Sequence, residues 1–158
     1  MKVEYINPFV AATQNVFKMM MNIDITAGKP YLFDPLTGAH SYDISGIIGL
    51  SGETTGAVVL SFTKLCALKV VSEFSGSEIK IFDQTVVDAI GELINIVAGN
   101  AKKDLKDFKL NISLPSVVTG HSHRLNWPTG VPVIMIPFTS PMGEFSIGVS
   151  LREPPKKS

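Results

Sequence analysis

Residues 42–62, YDISGIIGLSGETTGAVVLSF, contain two apolar stretches separated by the polar segment SGETTG. Both stretches are rich in aliphatic residues, many of them β-branched, and the glycines and polar residues between them are typical of a tight turn. The segment therefore predicts a β-hairpin. A similar pattern recurs at residues 131–151, where two predicted strands, 132–139 and 144–152, flank the turn sequence SPMG.

A helical pattern precedes each hairpin. The first predicted helix, 7–22, begins with the capping residue Asn7 and with Pro8, which suits the first helical position. The second, 83–105, keeps apolar residues at the i, i+3, i+4, i+7 spacing of one buried face. Because a helix followed by a hairpin occurs twice, the sequence predicts an α+β domain of two pseudo-symmetric halves. The remaining predicted elements are a helix over about 64–74 and extended segments over 29–34 and 108–119.

The composition favours a single soluble domain. A chain of 158 residues can bury one core of ordinary size, and we assign 1–153 to the domain and 154–158 to a disordered tail. The 14 basic and 14 acidic residues balance, so no net field attracts nucleic acid or an anionic membrane. No apolar run approaches the roughly 20 residues that span a bilayer. Cys66 lies in an apolar stretch and is expected to be a buried, inert thiol, which suits a cytoplasmic protein.

The second long helix has an unusual polar side. On a helical wheel of about 100° per residue, Asp88, Glu92, Asn95 and Gly99 fall within about 60° of each other. The apolar residues on the opposite side are Val86, Ile90, Leu93, Val97 and Ala101. Asparagine and glycine are poor helix formers, so an ordinary solvent-exposed face would use other residues. Two interpretations remain open. The polar side is either an ordinary solvent-exposed surface or a functional face, where small residues let another surface approach closely.

The spacing Asp88-x3-Glu92-x2-Asn95, followed some twenty residues later by Pro115 in SLPSVV, resembles the motif of the CheC/CheX/FliY family. The stretch NPFVAATQNVF, residues 7–17, is similar to the opening of CheX-like members. The resemblance extends over nearly the whole chain in length and element order. It implies an antiparallel sheet with two long helices on one face. It also implies a phosphatase acting on the aspartyl phosphate of a CheY-type response regulator, and a homodimer built through sheet edges.

The resemblance assigns roles to the polar side of the helix. Glu92 is expected to pair with a lysine of the regulator and set the docking register, and Asn95 to orient the attacking water. An amide suits that task because it both donates to and accepts from water and is neutral at all relevant pH values. Asp88 either contacts the regulator or favours the N-terminal half of the helix through its dipole. The other candidate partner-binding residues are Gly91, Gly99 and Lys102. The Mg²⁺ is expected in the regulator, so no cofactor or metal is predicted in this chain.

The first helix is predicted to lack a complete second site. Sliding it onto the second long helix by 80 positions places Asn15 on Asn95 but Ala12 on Glu92. The amide is present and the acid is absent. We therefore predict one site per chain, with Asn15 a relic.

Two further alternatives concern function. His121 and His123 in HSHR lack a third ligand at a convincing spacing, which predicts a loop rather than a metal site.

The competing functional hypothesis is a non-catalytic regulator-binding or adaptor module that docks through the same helix face. Both hypotheses need Glu92, and only the phosphatase needs Asn95.

Overall fold

A computed structural model of the chain describes residues 3–36, 38, 41–106 and 109–153. Within these ranges it contains three helices, which are α1 (Val3–Met21), α2 (Lys64–Ser75) and α3 (Gln84–Asp104). The strands are β1 (Thr26–Ala27), β2 (Tyr31–Phe33), β3 (Ile44–Gly52), β4 (Gly56–Phe62), β5 (Leu110–Ile112), β6 (Ser116–Thr119), β7 (Val133–Thr139) and β8 (Phe145–Leu151). The tail 154–158 that we expected to be disordered lies outside the described residues.

The strands form one antiparallel sheet in which each half of the chain completes the other. The described order is β1-β7-β8-β4-β3-β5, with β2 also on β7 and β6 also on β3. The two predicted hairpins, β3–β4 and β7–β8, meet where β4 pairs with β8. The short strands of the first half pair with β7, and those of the second half pair with β3. This exchange confirms the predicted pseudo-symmetric halves.

The core lies between one face of the sheet and the helices. Alternate residues of the central strands point to this face, and most of them are fully buried. Phe145 is at its centre: its ring stacks on Phe17 of α1 at 5.0 Å and lies 5.0 Å from Phe62 and 5.3 Å from Phe138. Helix α1 packs along α3, and both contact the sheet. The predicted arrangement of two long helices on one face is confirmed.

The predicted start of the first helix was wrong. Helix α1 begins at Val3, and Pro8 lies inside it rather than at its first position. Proline has no N–H, so the helix lacks one backbone hydrogen bond at this position. The preceding turn carries Tyr5 and Ile6, which are buried in the core beside Phe9. Burial of this apolar surface outweighs the loss of one hydrogen bond.

The ends of the other two helices follow the local sequence. Thr63 caps α2 by accepting a hydrogen bond from the Cys66 N–H, and Gly76 ends it in the left-handed conformation. Asp83 caps α3 by accepting from the Thr85 N–H. Cys66 is buried, and burial raises the pKa of its thiol to about 11, which is the inert cysteine that we expected. None of the described helices is long and apolar enough to span a bilayer.

The predicted extended segment 108–119 is interrupted in its described part. Strands β5 and β6 both pair with β3, but the chain leaves the ladder between them. Ser113 bonds to Gly49 instead, with its N–H donating to the Gly49 carbonyl and its hydroxyl accepting from the Gly49 N–H. Pro115 follows at a position that is outside the strand ladder, where the N–H that proline lacks is not needed for a hydrogen bond. This interruption brings Pro115 next to α3.

Candidate functional site

The polar stripe of α3 faces outward, as predicted from its spacing. Asp88, Glu92 and Asn95 are exposed, whereas the residues of the opposite stripe are fully buried in the core. Lys102 continues the stripe two turns beyond Asn95, roughly 10 Å along the helix axis, and is also exposed. The helix therefore presents acidic, amide and basic groups in that order along one line.

A shallow groove runs beside this stripe. Asp88, Glu92 and Asn95 line one side of it, and Pro115 and Val117 from the segment after α3 line the other. The structure thus brings Pro115 beside the three motif residues of the helix. Val117 was not predicted as part of the site. Its alternating position in β6 was the available signal, but only the packing of β6 on α3 shows which way it points.

Gly91, a predicted partner-binding residue, lines the groove and also packs against its own chain. The residue is buried, and the surface that approaches it belongs to the same chain: a Cβ atom there would lie 3.3 Å from Val117 Cγ2 and 3.9 Å from Pro115. Gly91 therefore allows β6 and Pro115 to pack against α3. A Cβ on Gly99, by contrast, would meet nothing within 4 Å, so space for an incoming surface exists at that position.

Glu92 and Asn95 are available for a partner. Among the described residues, no hydrogen bond or ion pair engages either side chain. Asp88 differs, because its Oδ1 accepts a hydrogen bond from Gln84 Nε2 at 2.8 Å. Two polar groups on consecutive turns are therefore free beside the groove, and the third is held by its own helix.

A known protein family matches more than half of the chain. The family model described as chemotaxis phosphatase CheX matches residues 44–139, which include the whole stripe of α3 and Pro115. The chain belongs to the CheX family of chemotaxis phosphatases. The matched region begins with the first hairpin and ends in β7, so it spans both halves of the sheet.

Known relatives cover most of the chain. The CheY-P phosphatase CheX of Thermotoga maritima is 29% identical over 128 residues, covering 79% of this chain and 81% of that protein. The crystal structure of chemotaxis protein CheX from Desulfovibrio desulfuricans is 34% identical, with a TM-score of 0.86, over 95% of this chain and 100% of that one. The CheX–CheY–BeF3–Mg²⁺ complex from Borrelia burgdorferi contains a chain that is 28% identical, with a TM-score of 0.81, over 96% of this chain and 100% of that one.

Burial changes the alignment of the two long helices. Ala12 is buried whereas Glu92 is exposed, so the predicted match between them was wrong. When α1 is aligned with α3 by an offset of 81 residues instead of 80, buried positions of the two helices coincide over the central turns. This alignment places Ala11 on Glu92 and Gln14 on Asn95. No acid occupies the Glu92 position in either alignment. The prediction of one site per chain is therefore the same for both alignments of the helices.

The two histidines near residue 120 have structural partners on a loop. His121 Nδ1 lies 3.0 Å from Asp43 Oδ1, and His123 bonds to Ser45 and to the Gly120 carbonyl. In the part of the chain that the structure describes, no group of three His, Cys, Asp or Glu residues could hold a metal ion.

Proposed function

We propose that this CheX-family protein hydrolyses the aspartyl phosphate of a CheY-type response regulator, using Glu92 to dock and Asn95 to position the attacking water. The observation that carries the proposal is the pair of exposed, uncommitted side chains on consecutive turns of α3, beside a groove that contains Pro115. Family membership supports the phosphatase activity, and the Thermotoga maritima relative is a CheY-P phosphatase.

The chemistry requires little from this chain besides positioning. An aspartyl phosphate is an acyl phosphate, and in-line attack needs a water held opposite the leaving carboxylate. Mg²⁺ in the regulator would neutralise charge on the phosphoryl oxygens; the Borrelia burgdorferi complex, which contains CheY and Mg²⁺, supports this division of labour. The phosphatase therefore needs to supply a group that holds the water in line.

Asn95 suits this role by its chemistry and by its place on a rigid element. Its carboxamide accepts one hydrogen bond from the water and donates another, and it brings no negative charge towards the phosphoryl group. Residues on both sides of it, Ile94 and Val97, are fully buried, so the helix backbone at Asn95 is held by the core. A side chain anchored in this way can enter a partner's pocket with little loss of conformational freedom.

Glu92 lies one turn before Asn95 and would determine the docking register. A carboxylate at this position can pair with a lysine of the regulator, and no cation of the described chain competes for it. Lys102, farther along the same line, would meet acidic groups of the regulator. Opposite charges at the two ends of the stripe favour one orientation of the partner over the reverse.

We also infer a second copy of the chain as a partner, paired through the sheet edge. Strand β2 bonds to β7 on one side, and its other side has no partner strand among the described residues. Tyr31 and Leu32 on this strand are 51% and 72% exposed, so apolar surface is available for a partner at this edge. Sedimentation of the parent and of Leu32→Glu tests this dimer. We propose, together with this activity, that the protein acts in the cytoplasm.

The mechanism is tested by single-turnover dephosphorylation of a phosphorylated regulator at saturating phosphatase, with Asn95→Ala. Removing one positioned polar group at a reacting centre typically lowers the rate by about 10²–10³. We expect that loss with nearly unchanged binding and unchanged stability. A variant that dephosphorylates at the parent's rate would overturn the water-positioning role. If the parent binds the phosphorylated regulator but does not speed its decay, the adaptor hypothesis takes the place of the phosphatase.

A further inference from the structure

A second cavity lies on the sheet face opposite the helices. The residues of β4 alternate, so Val58 and Leu60 point to the helices whereas Val59 and Ser61 point to the cavity. Its volume is about 280 Å³, near the lower end of the roughly 300–1,000 Å³ typical of small-molecule sites. The cavity is separated from the groove beside α3 by the full thickness of the sheet.

The walls of the cavity are aromatic and apolar. They include Phe33, Trp127 and Met135, together with Val59 and Leu125. The Trp127 ring reaches the sheet because residue 148 is a glycine, where a Cβ would come within 2.8 Å of Trp127 Cη2. Such walls fit a ligand with a flat apolar body.

A chain of hydrogen bonds leads from the cavity to His123. Ser61, which lines the cavity, lies 2.6 Å from the buried Ser45 hydroxyl, and that hydroxyl lies 2.7 Å from His123 Nε2. His123 Nδ1 lies 2.9 Å from the Gly120 carbonyl, which can only accept, so this nitrogen carries a hydrogen. In the neutral ring, Nε2 must then accept from Ser45, and Ser45 accepts from Ser61.

Protonation of His123 reverses this chain. Nε2–H then donates to Ser45, Ser45 donates to Ser61, and the Ser61 hydroxyl is free to donate into the cavity. A ligand that accepts a hydrogen bond from Ser61 therefore favours the protonated ring.

The described residues that line the cavity include a cation and no anion. Arg124 lines it and makes no ion pair with any described residue. None of the described lining residues is an aspartate or glutamate. A cavity with an unpaired guanidinium, a hydroxyl that can donate and no carboxylate selects an anion.

We propose that this cavity binds a small organic anion, with a flat apolar body between Phe33 and Trp127 and a carboxylate or phosphate held by Arg124 and Ser61. The site is separate from the phosphatase groove, and binding can be measured without any regulator. The proposal therefore stands or fails independently of the proposed activity.

Trp127 is the only tryptophan of the chain, so its fluorescence reports on this cavity. The intact protein is titrated with benzoate, cyclohexanecarboxylate and phenyl phosphate, and with benzamide as the neutral control. We expect at least one anion to change the fluorescence with a Kd of about 1 mM or lower, and to bind about tenfold more tightly than benzamide. No response to any of the three anions up to about 10 mM would overturn the proposal, as would equal binding of benzoate and benzamide.

Matched variants locate the site. Arg124→Gln should weaken anion binding about tenfold, whereas Arg152→Gln, which alters an exposed arginine outside the cavity lining, should leave it unchanged. Equal affinity of the parent and Arg124→Gln would show that the anion binds elsewhere.

Discussion

Gly91 lies close to Val117: a Cβ at position 91 would lie 3.3 Å from Val117 Cγ2, so any larger residue requires Val117 to move by a few tenths of an ångström. This contact joins α3 to β6 and so determines the width of the groove beside Glu92 and Asn95. Glycine in the middle of a helix normally destabilises it. Here the lack of a side chain allows β6 to pack closely against the helix.

Gly91→Ala should therefore weaken function more than stability. Alanine improves helix propensity by about 1 kcal/mol, but its methyl group displaces Val117, which lies on the four-residue strand β6. We expect the free energy of unfolding to stay within about 1 kcal/mol of the parent, and the KM for the phosphorylated regulator to rise several-fold. Urea unfolding and steady-state kinetics measure the two effects.

The matched control is Gly99→Ala, where the added methyl group meets nothing in the chain. This variant should be more stable by up to about 1 kcal/mol, because the propensity gain is not opposed. Its KM should rise only if the regulator approaches position 99 closely. Equal stabilisation of both variants, with unchanged kinetics for Gly91→Ala, would show that the contact with Val117 does not shape the groove.

Glu92→Ala should impair docking and leave the fold intact. Glu92 is exposed and makes no ion pair within the described chain, so its removal should change the free energy of unfolding by at most about 0.5 kcal/mol. Loss of a charge pair with the regulator should raise the KM. Added salt should weaken regulator binding by the parent more than regulator binding by the variant. Equal affinities of parent and variant for a phosphorylated regulator would exclude the docking role.

The first helix should contribute no second active site. Gln14→Ala and Asn15→Ala, alone or together, should leave single-turnover dephosphorylation near the parent's rate, because Ala11 and Ala12 provide no acid beside either amide. Asn95→Ala measured in the same assay is the reference for a true loss. A comparable loss from Gln14→Ala or Asn15→Ala would show that both long helices are active.

Asp43 should contribute stability at neutral pH and not in acid. Its carboxylate accepts from His121 Nδ1 at 3.0 Å and from the Lys64 N–H at 2.6 Å, at the start of α2. The hydrogen bond with His121, followed by that with Lys64, lowers the pKa of Asp43. A carboxyl whose pKa is lower in the folded than in the unfolded protein stabilises the fold at pH values above its unfolded pKa. This contribution is lost as the pH falls through its folded pKa.

Asp43→Ala is therefore expected to lower the free energy of unfolding by about 1–2 kcal/mol at neutral pH. The difference between parent and variant should shrink as the pH falls below the ordinary aspartate pKa of about 3.9 and towards the lowered pKa of the folded protein. Urea unfolding at neutral pH and at about pH 3 tests this sign. A difference that is the same at both pH values would contradict the assigned role of the charge.

Much of the site could be predicted because it lies on one helix. The positions of Asp88, Glu92 and Asn95 relative to each other follow from the helical period alone, and so does their separation from the buried stripe. Pro115 could be linked to them only through a family resemblance. Its place beside the helix depends on where the chain leaves β3 at Ser113, which is a pairing between segments far apart in sequence.

The sequence by itself determined the hairpins, the long helices, the two related halves and the outward polar stripe, because periodicity and turn residues act over a few neighbours. Only the tertiary structure decided that Pro8 lies within a helix, that Gly91 serves the chain's own packing and that the short strands exchange between halves. It also decided that Ser61, His123 and Trp127 meet at one cavity. These features depend on contacts between distant segments, whose burial energies override or supplement the local preferences.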